Sequence, residues 1–113
     1  MSWFTGIGQW AATFSCEGVE NGQVVKVSGN GAVASCGAGE GIGGVVVSLG
    51  RDKKACGVAL GGIVCVPYTG DAPAVGWSGL SADGAGGVAC DAKGRAYLVV
   101  DVDDVGKMVT FAL

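Results

Sequence analysis

Apolar positions along this chain fall mostly at every second residue, in short runs that glycine, asparagine and aspartate interrupt. Trp10, Ala12, Phe14 and Cys16 share one side of an alternating segment, the period of a half-buried strand over Trp10 to Cys16. Gln23 to Ser28 and Ala32 to Cys36 flank Gly29-Asn30-Gly31. That turn between alternating valines predicts a β-hairpin, because its residues tolerate the positive φ that tight hairpins need. Further strands are expected at Val45 to Leu49, Ala55 to Leu60, Ile63 to Tyr68, Val75 to Ser81, Val88 to Cys90, Ala96 to Val102 and Lys107 to Leu113. Strands at this spacing, with no helix between them, predict an all-β fold: a small glycine-rich β-barrel or sandwich, built by residues 10–113 as a single β domain. Residues 1–9 carry Trp3, Phe4 and Ile7 between glycines without a strand period, and are expected to form an extended N-terminal arm.

The stretch Cys56 to Gly87 holds both prolines, Pro67 and Pro73, together with Tyr68, Trp77 and the most apolar run of the chain. An apolar β-branched run that meets proline reads as a buried strand leaving a sheet, and Gly61-Gly62 within it as a bulge or barrel corner. Composition supports strands over helices. The chain has 113 residues, enough for one core, and 23 are glycine, roughly threefold the usual share. Each glycine costs about 1 kcal/mol relative to alanine inside a helix, so no long window would hold one.

Charge narrows the partners. The net charge is −3, and the seven basic residues, Lys26, Arg51, Lys53, Lys54, Lys93, Arg95 and Lys107, are scattered, which speaks against nucleic acid. The run Arg51-Asp52-Lys53-Lys54 reads as a solvated hairpin tip. Only 15% of residues are charged, against the quarter or so usual for a soluble monomer, so part of this surface is expected to be covered by another chain.

Five cysteines, Cys16, Cys36, Cys56, Cys65 and Cys90, make an odd set without a CxxC, and there is no histidine to complete a zinc site. With no charged segment ahead of an apolar run and no apolar span long enough for a membrane helix, a reducing compartment and free thiols are expected, with no membrane partner. Gly39 to Gly44 matches GxGxxG formally, but Val45 to Leu49 continues as a strand rather than a helix, so it is not read as a nucleotide loop. Asp101, Asp103 and Asp104 are the densest carboxylates; they invite calcium, yet a charged strand end at a hairpin accounts for them equally. Hydroxyl and thiol nucleophiles lack a histidine to activate them, so neither an enzyme of esterase type nor a cofactor is expected. Tyr68, Trp77 and Pro73 are open to two readings, a groove for a proline-rich or sugar ligand, or aromatic cover over a barrel end.

The order of segments is itself distinctive: GQVVKVSGNGAVASC, a glycine-rich step into GVVVSL, then GVALGGIVCVPYTGDAPAVGW, LSADGAGGV and DAKGRAYLVVDVDDVGKMVTFAL. From about Glu17 to Leu113 this resembles a family of small phage and prophage head decoration (capsid cement) proteins, with VPYTGDAP and GRAYLVVDVD its most specific parts. The resemblance implies a non-enzymatic virion protein, made in the host cytoplasm, that binds the outside of the assembled capsid. Its partners would be the major capsid protein and further copies on the lattice. A phage tail or fibre β-module, and a small ligand-binding β domain using Tyr68 and Trp77, are the other readings. The partner-binding candidates are Trp3, Phe4 and Ile7 of the arm, with Tyr68 and Trp77 of the domain.

Overall fold

The computed structural model describes residues 9–113, so the arm residues Trp3, Phe4 and Ile7 lie outside the described residues. The described chain is all-β, with ten strands: β1 (Trp10–Cys16), β2 (Val24–Gly29), β3 (Ala32–Ser35), β4 (Gly44–Leu49), β5 (Ala55–Gly61), β6 (Ile63–Thr69), β7 (Gly76–Ala82), β8 (Val88–Cys90), β9 (Arg95–Asp103) and β10 (Met108–Ala112). Alternation located them well. The hairpin at Gly29-Asn30-Gly31 forms as β2–β3, and the GxGxxG segment leads into β4, a strand.

The strands close into two barrels of identical topology. In the first, β1 pairs with β5 antiparallel and β3 in parallel, β2 bridges β3 and β4, and β4 meets β5. In the second, β6 takes the place of β1 and the others follow in order, down to the parallel β6–β8 pair. Even the register repeats. Val46 opposes Val58 and Leu49 opposes Cys56 in the first barrel; Val99 opposes Phe111 and Val102 opposes Val109 in the second, each 53 positions later. A bulge leaves Val47 unpaired in β4 and Val100 unpaired in β9, so the same irregularity bends both sheets at the same point.

One residue, Gly62, joins the barrels. It has φ 91°, a conformation that glycine adopts without strain. A side chain on Gly61 would run into the indole of Trp10, which lies against it. Pro67 sits inside β6, within the strand expected from Ile63 to Tyr68. The Tyr68 N–H donates to the Lys107 carbonyl at 3.0 Å, which turns the Pro67 nitrogen away from β10, towards a side where β8 begins only at Val88, opposite Tyr68. No ladder bond is lost there.

Two apolar clusters fill the molecule. Cys16, Val25, Val33, Val46, Cys56 and Val58 line the inside of the first barrel. The second cluster takes the inside of the other barrel, including Val66, Leu80, Val88, Tyr97, Val99, Val109 and Phe111, and adds Val24, Cys36, Val45 and Ala59 from the first. Val24, Val45 and Ala59 alternate with the inward residues Val25, Val46 and Val58, so they stand on the outer face of the first barrel and are buried by the second. Backbone bonds lock the contact. Val24 N–H donates to Gly86 O at 2.9 Å, Gly39 N–H to Ala82 O at 2.8 Å, and Ala82 N–H to Glu40 O at 3.0 Å.

Phe111, edge-on to Tyr97 at 5.1 Å between ring centres, is the largest fully buried side chain of the shared cluster. Phe111→Ala should cost about 3–5 kcal/mol in denaturant unfolding. Because the cluster spans both barrels, amide exchange at Val46 and Val58 of the first barrel should accelerate along with that of the second; unchanged protection there would mean that the barrels unfold separately.

Candidate functional site

The shared register exposes an imbalance between the two barrels. Across the outer face of the first runs the paired row Ala11, Ala59, Val45, Val24. Across the outer face of the second runs its counterpart, Ile63, Ala112, Leu98, Trp77. In the first row Val24 is 1%, Val45 3% and Ala59 0% exposed; in the second Trp77 is 75% and Leu98 37% exposed. Three of the four positions, Val24, Val45 and Ala59, are thus buried in the first barrel, with Ala11 exposed at the edge, whereas their counterparts Trp77 and Leu98 are exposed and Ala112 half-buried in the second. Ile63, Cys65, Val100 and Ala112 are half-buried on or beside this face.

Trp77 is therefore where a partner-binding residue is expected, on a sheet face and solvent-exposed. Tyr68 is not its neighbour. Tyr68 points into the second barrel, buried, with the Lys107 ammonium 5.3 Å from its ring centre and its hydroxyl without a hydrogen-bond partner among the described residues. Since Trp77 faces outward on β7, Tyr68 inward on β6, and β8 separates the two strands, they do not line one groove. Leu98, Ala112 and Ile63 were not singled out from the sequence; the clue was the shared spacing of the two halves, with Val24, Val45 and Ala59 standing 53 residues before Trp77, Leu98 and Ala112.

Other candidate chemistry resolves into turn construction. Asp103 Oδ1 accepts from Val105 N–H at 3.1 Å and Gly106 N–H at 3.0 Å, closing the β9–β10 turn. Asp91 Oδ1 accepts from Lys93 N–H at 2.9 Å, and that bond leads the causes that hold its carboxyl below the usual range. Among the described residues no group of three or more acidic or cysteine side chains is placed to hold a metal ion. The hairpin tip at Lys53, φ 58°, is tied by Lys54 N–H donating to Asp52 Oδ1 at 3.0 Å, and Lys53 reaches Glu20 at 3.3 Å.

A depression of about 480 Å³, open to solvent, lies where β1 runs beside β3, among Ser15, Cys16, Glu17, Ser28 and Lys54. Its hydroxyls and thiol have no histidine near them, for the chain has none. All five cysteines are free, with Cys16, Cys36 and Cys56 buried. Burial, then hydrogen bonding to Cys16, pushes the Cys56 thiol up to about 11, so that sulfur is not poised as a thiolate. No helix among the described residues is long and apolar enough to cross a membrane.

One ion pair bears on the barrel contact. Glu40 accepts from Lys26 Nζ at 2.7 Å and from Gly37 N–H at 2.6 Å, shaping the loop whose backbone meets Ala82. The bond from Lys26, then that from Gly37, holds the Glu40 carboxyl below its ordinary value. Neither a family model nor a curated sequence matches the chain.

Two outcomes follow from these environments. A carboxyl lowered on folding stabilises the fold above its unfolded value of 4.5, and the contribution disappears as pH falls through the lower folded value. Glu40→Gln should therefore reduce the Tm at neutral pH and match the unaltered protein in strong acid; equal melting at every pH would show that the loop does not need the charge. Tyr68→Phe removes a buried hydroxyl that has no partner among the described residues, and should leave stability unchanged or raise it by about 1 kcal/mol in urea unfolding.

Proposed function

We propose that the chain is a structural protein that decorates the outside of an assembled phage capsid and stabilises it, with the major capsid protein as its partner. The observation that carries this reading is the apolar row Trp77, Leu98, Ala112, Ile63, in which Trp77 and Leu98 are exposed whereas Val24 and Val45, their counterparts in the first barrel, are buried. A sheet face of this kind is built for contact with protein, since burying one large aromatic contributes on the order of 2 kcal/mol and tryptophan is enriched where contacts are strongest. The family resemblance of segments such as VPYTGDAP and GRAYLVVDVD supplies the capsid as the setting. A shell protein gains from rigidity, which two barrels joined by Gly62 alone and by a common core provide. A ligand-binding reading that uses Tyr68 and Trp77 together is not favoured, because the two rings lie on opposite sides of the barrel wall. The tail or fibre reading differs only in which assembly the protein joins.

Co-sedimentation of the purified chain with bare heads tests this. Binding should persist at raised salt, because the contact is apolar and the basic residues are scattered. Deleting Met1 to Gln9 should loosen it, given Trp3, Phe4 and Ile7. Failure of the intact chain to bind heads in any condition overturns decoration, and binding to tails instead selects the fibre reading.

A further inference from the structure

We infer that the depression beside Cys16 in the first barrel receives the phenol ring of a tyrosine carried by a different protein. The duplicated fold makes the case, because Tyr68 of β6 and Cys16 of β1 hold equivalent positions. The Tyr68 N–H donates to the Lys107 carbonyl at 3.0 Å and the Cys16 N–H to the Lys54 carbonyl at 2.9 Å. In the parallel pairs, Tyr68 opposes Val88 and Cys16 opposes Val33. At this position the second barrel seats a buried phenol ring, with the Lys107 ammonium 5.3 Å from the ring centre. The first barrel carries a thiol instead, beside about 480 Å³ of solvent-open space that Cys16, Val33 and the matching lysine, Lys54, border. That volume lies within the roughly 300–1,000 Å³ of small-ligand sites.

The lining suits a phenol better than a plain phenyl ring. Lys54 offers an ammonium for the ring face, the attraction that Lys107 and Tyr68 already use. Ser15, Glu17 and Ser28 border the same space, so a hydroxyl carried in on the ring meets oxygen acceptors. This chain does not furnish the ring. Its two tyrosines, Tyr68 and Tyr97, are 3% and 2% exposed in the second barrel, so neither this molecule nor another copy presents one, and residues 1–9 contain none. The occupant therefore belongs to another protein. The depression is on the opposite barrel from Trp77, and the inference holds whichever assembly the chain joins.

Titration of the whole chain with p-cresol, the tyrosine side chain as a free molecule, followed by backbone amide NMR shifts, tests the site. The shifts should saturate in the millimolar range and cluster at Ser15, Cys16, Val33 and Lys54. The peptide acetyl-Gly-Tyr-Gly-amide should reproduce them, and its phenylalanine counterpart should bind about tenfold more weakly for want of the hydroxyl. Lys54→Gln should weaken p-cresol by about threefold. Ser28→Trp, at an exposed position on the rim, should abolish the shifts by filling the space. Cys16→Tyr should abolish them too, by supplying the ring from within; Ser28→Trp, with unchanged circular dichroism, decides the point should Cys16→Tyr not fold. Shifts that are absent, that survive Ser28→Trp or Lys54→Gln undiminished, or that are equal for the two peptides would each overturn the inference. So would p-cresol binding without any response to the tyrosyl peptide, which would make the ligand a free phenol. Binding that emerges only when residues 1–9 are deleted would give the site to Trp3 or Phe4 of this chain, and would overturn it as well.

Discussion

The burial of the first barrel's outer row beneath the second barrel is the contact on which the rest of the structure depends. A five-stranded barrel of this size has an interior only a few side chains deep, here Cys16, Val25, Val33, Val46, Cys56 and Val58. So small a core offers little apolar burial against the entropy of ordering some fifty residues. Adding Val24, Cys36, Val45 and Ala59 to the cluster inside the second barrel turns two thin cores into one larger body. The three backbone bonds across the contact then fix its geometry, because Gly39, Glu40, Val24, Ala82 and Gly86 all have to be in register at once.

That arrangement explains why glycine is so abundant. Strands that bury residues on both faces bring neighbouring backbones close, and a side chain on Gly44 would press on Val58 and on the Ala59 carbonyl. Others serve the turns. Gly84 and Gly86 hold positive φ in the loop that crosses between barrels, with Ala38 and Gln23 packed against them. A chain built this way keeps its large residues for a few positions, and one of them, Trp77, is spent on an open surface.

The individual strands were legible in the sequence because each alternates, and the turns because Gly-Asn-Gly and the aspartates carry their own backbone chemistry. The duplication was not. Over the best-matched stretch, 45–60 against 98–113, only Val46, Val47, Lys54, Ala59 and Leu60 have identical counterparts, too few to separate a repeat from the general likeness of valine-rich strands. Barrel interiors tolerate valine, phenylalanine or cysteine at one position provided that volume is conserved across the core, so Val58 becomes Phe111 and Cys56 becomes Val109 without changing the fold. The site stayed hidden for the same reason. Pattern alone marks Trp77 and Tyr68 as a pair of nearby aromatics, whereas their placement inside or outside the wall depends on the phase of each strand, and Leu98 gains meaning only beside Val45.

The single-residue junction at Gly62 has a further consequence. Trp10, where the described strands begin, pairs with Gly61, and the N–H of Leu113, one residue beyond the end of β10, donates to the Gly62 carbonyl at 2.9 Å. Start, middle and finish of the described strands therefore converge on one spot. The order in which the two barrels are encoded is for that reason a matter of convention rather than of architecture: opened at Gly62 and rejoined by a short linker from Leu113 to Gln9, the polypeptide would trace the same surfaces with its halves exchanged.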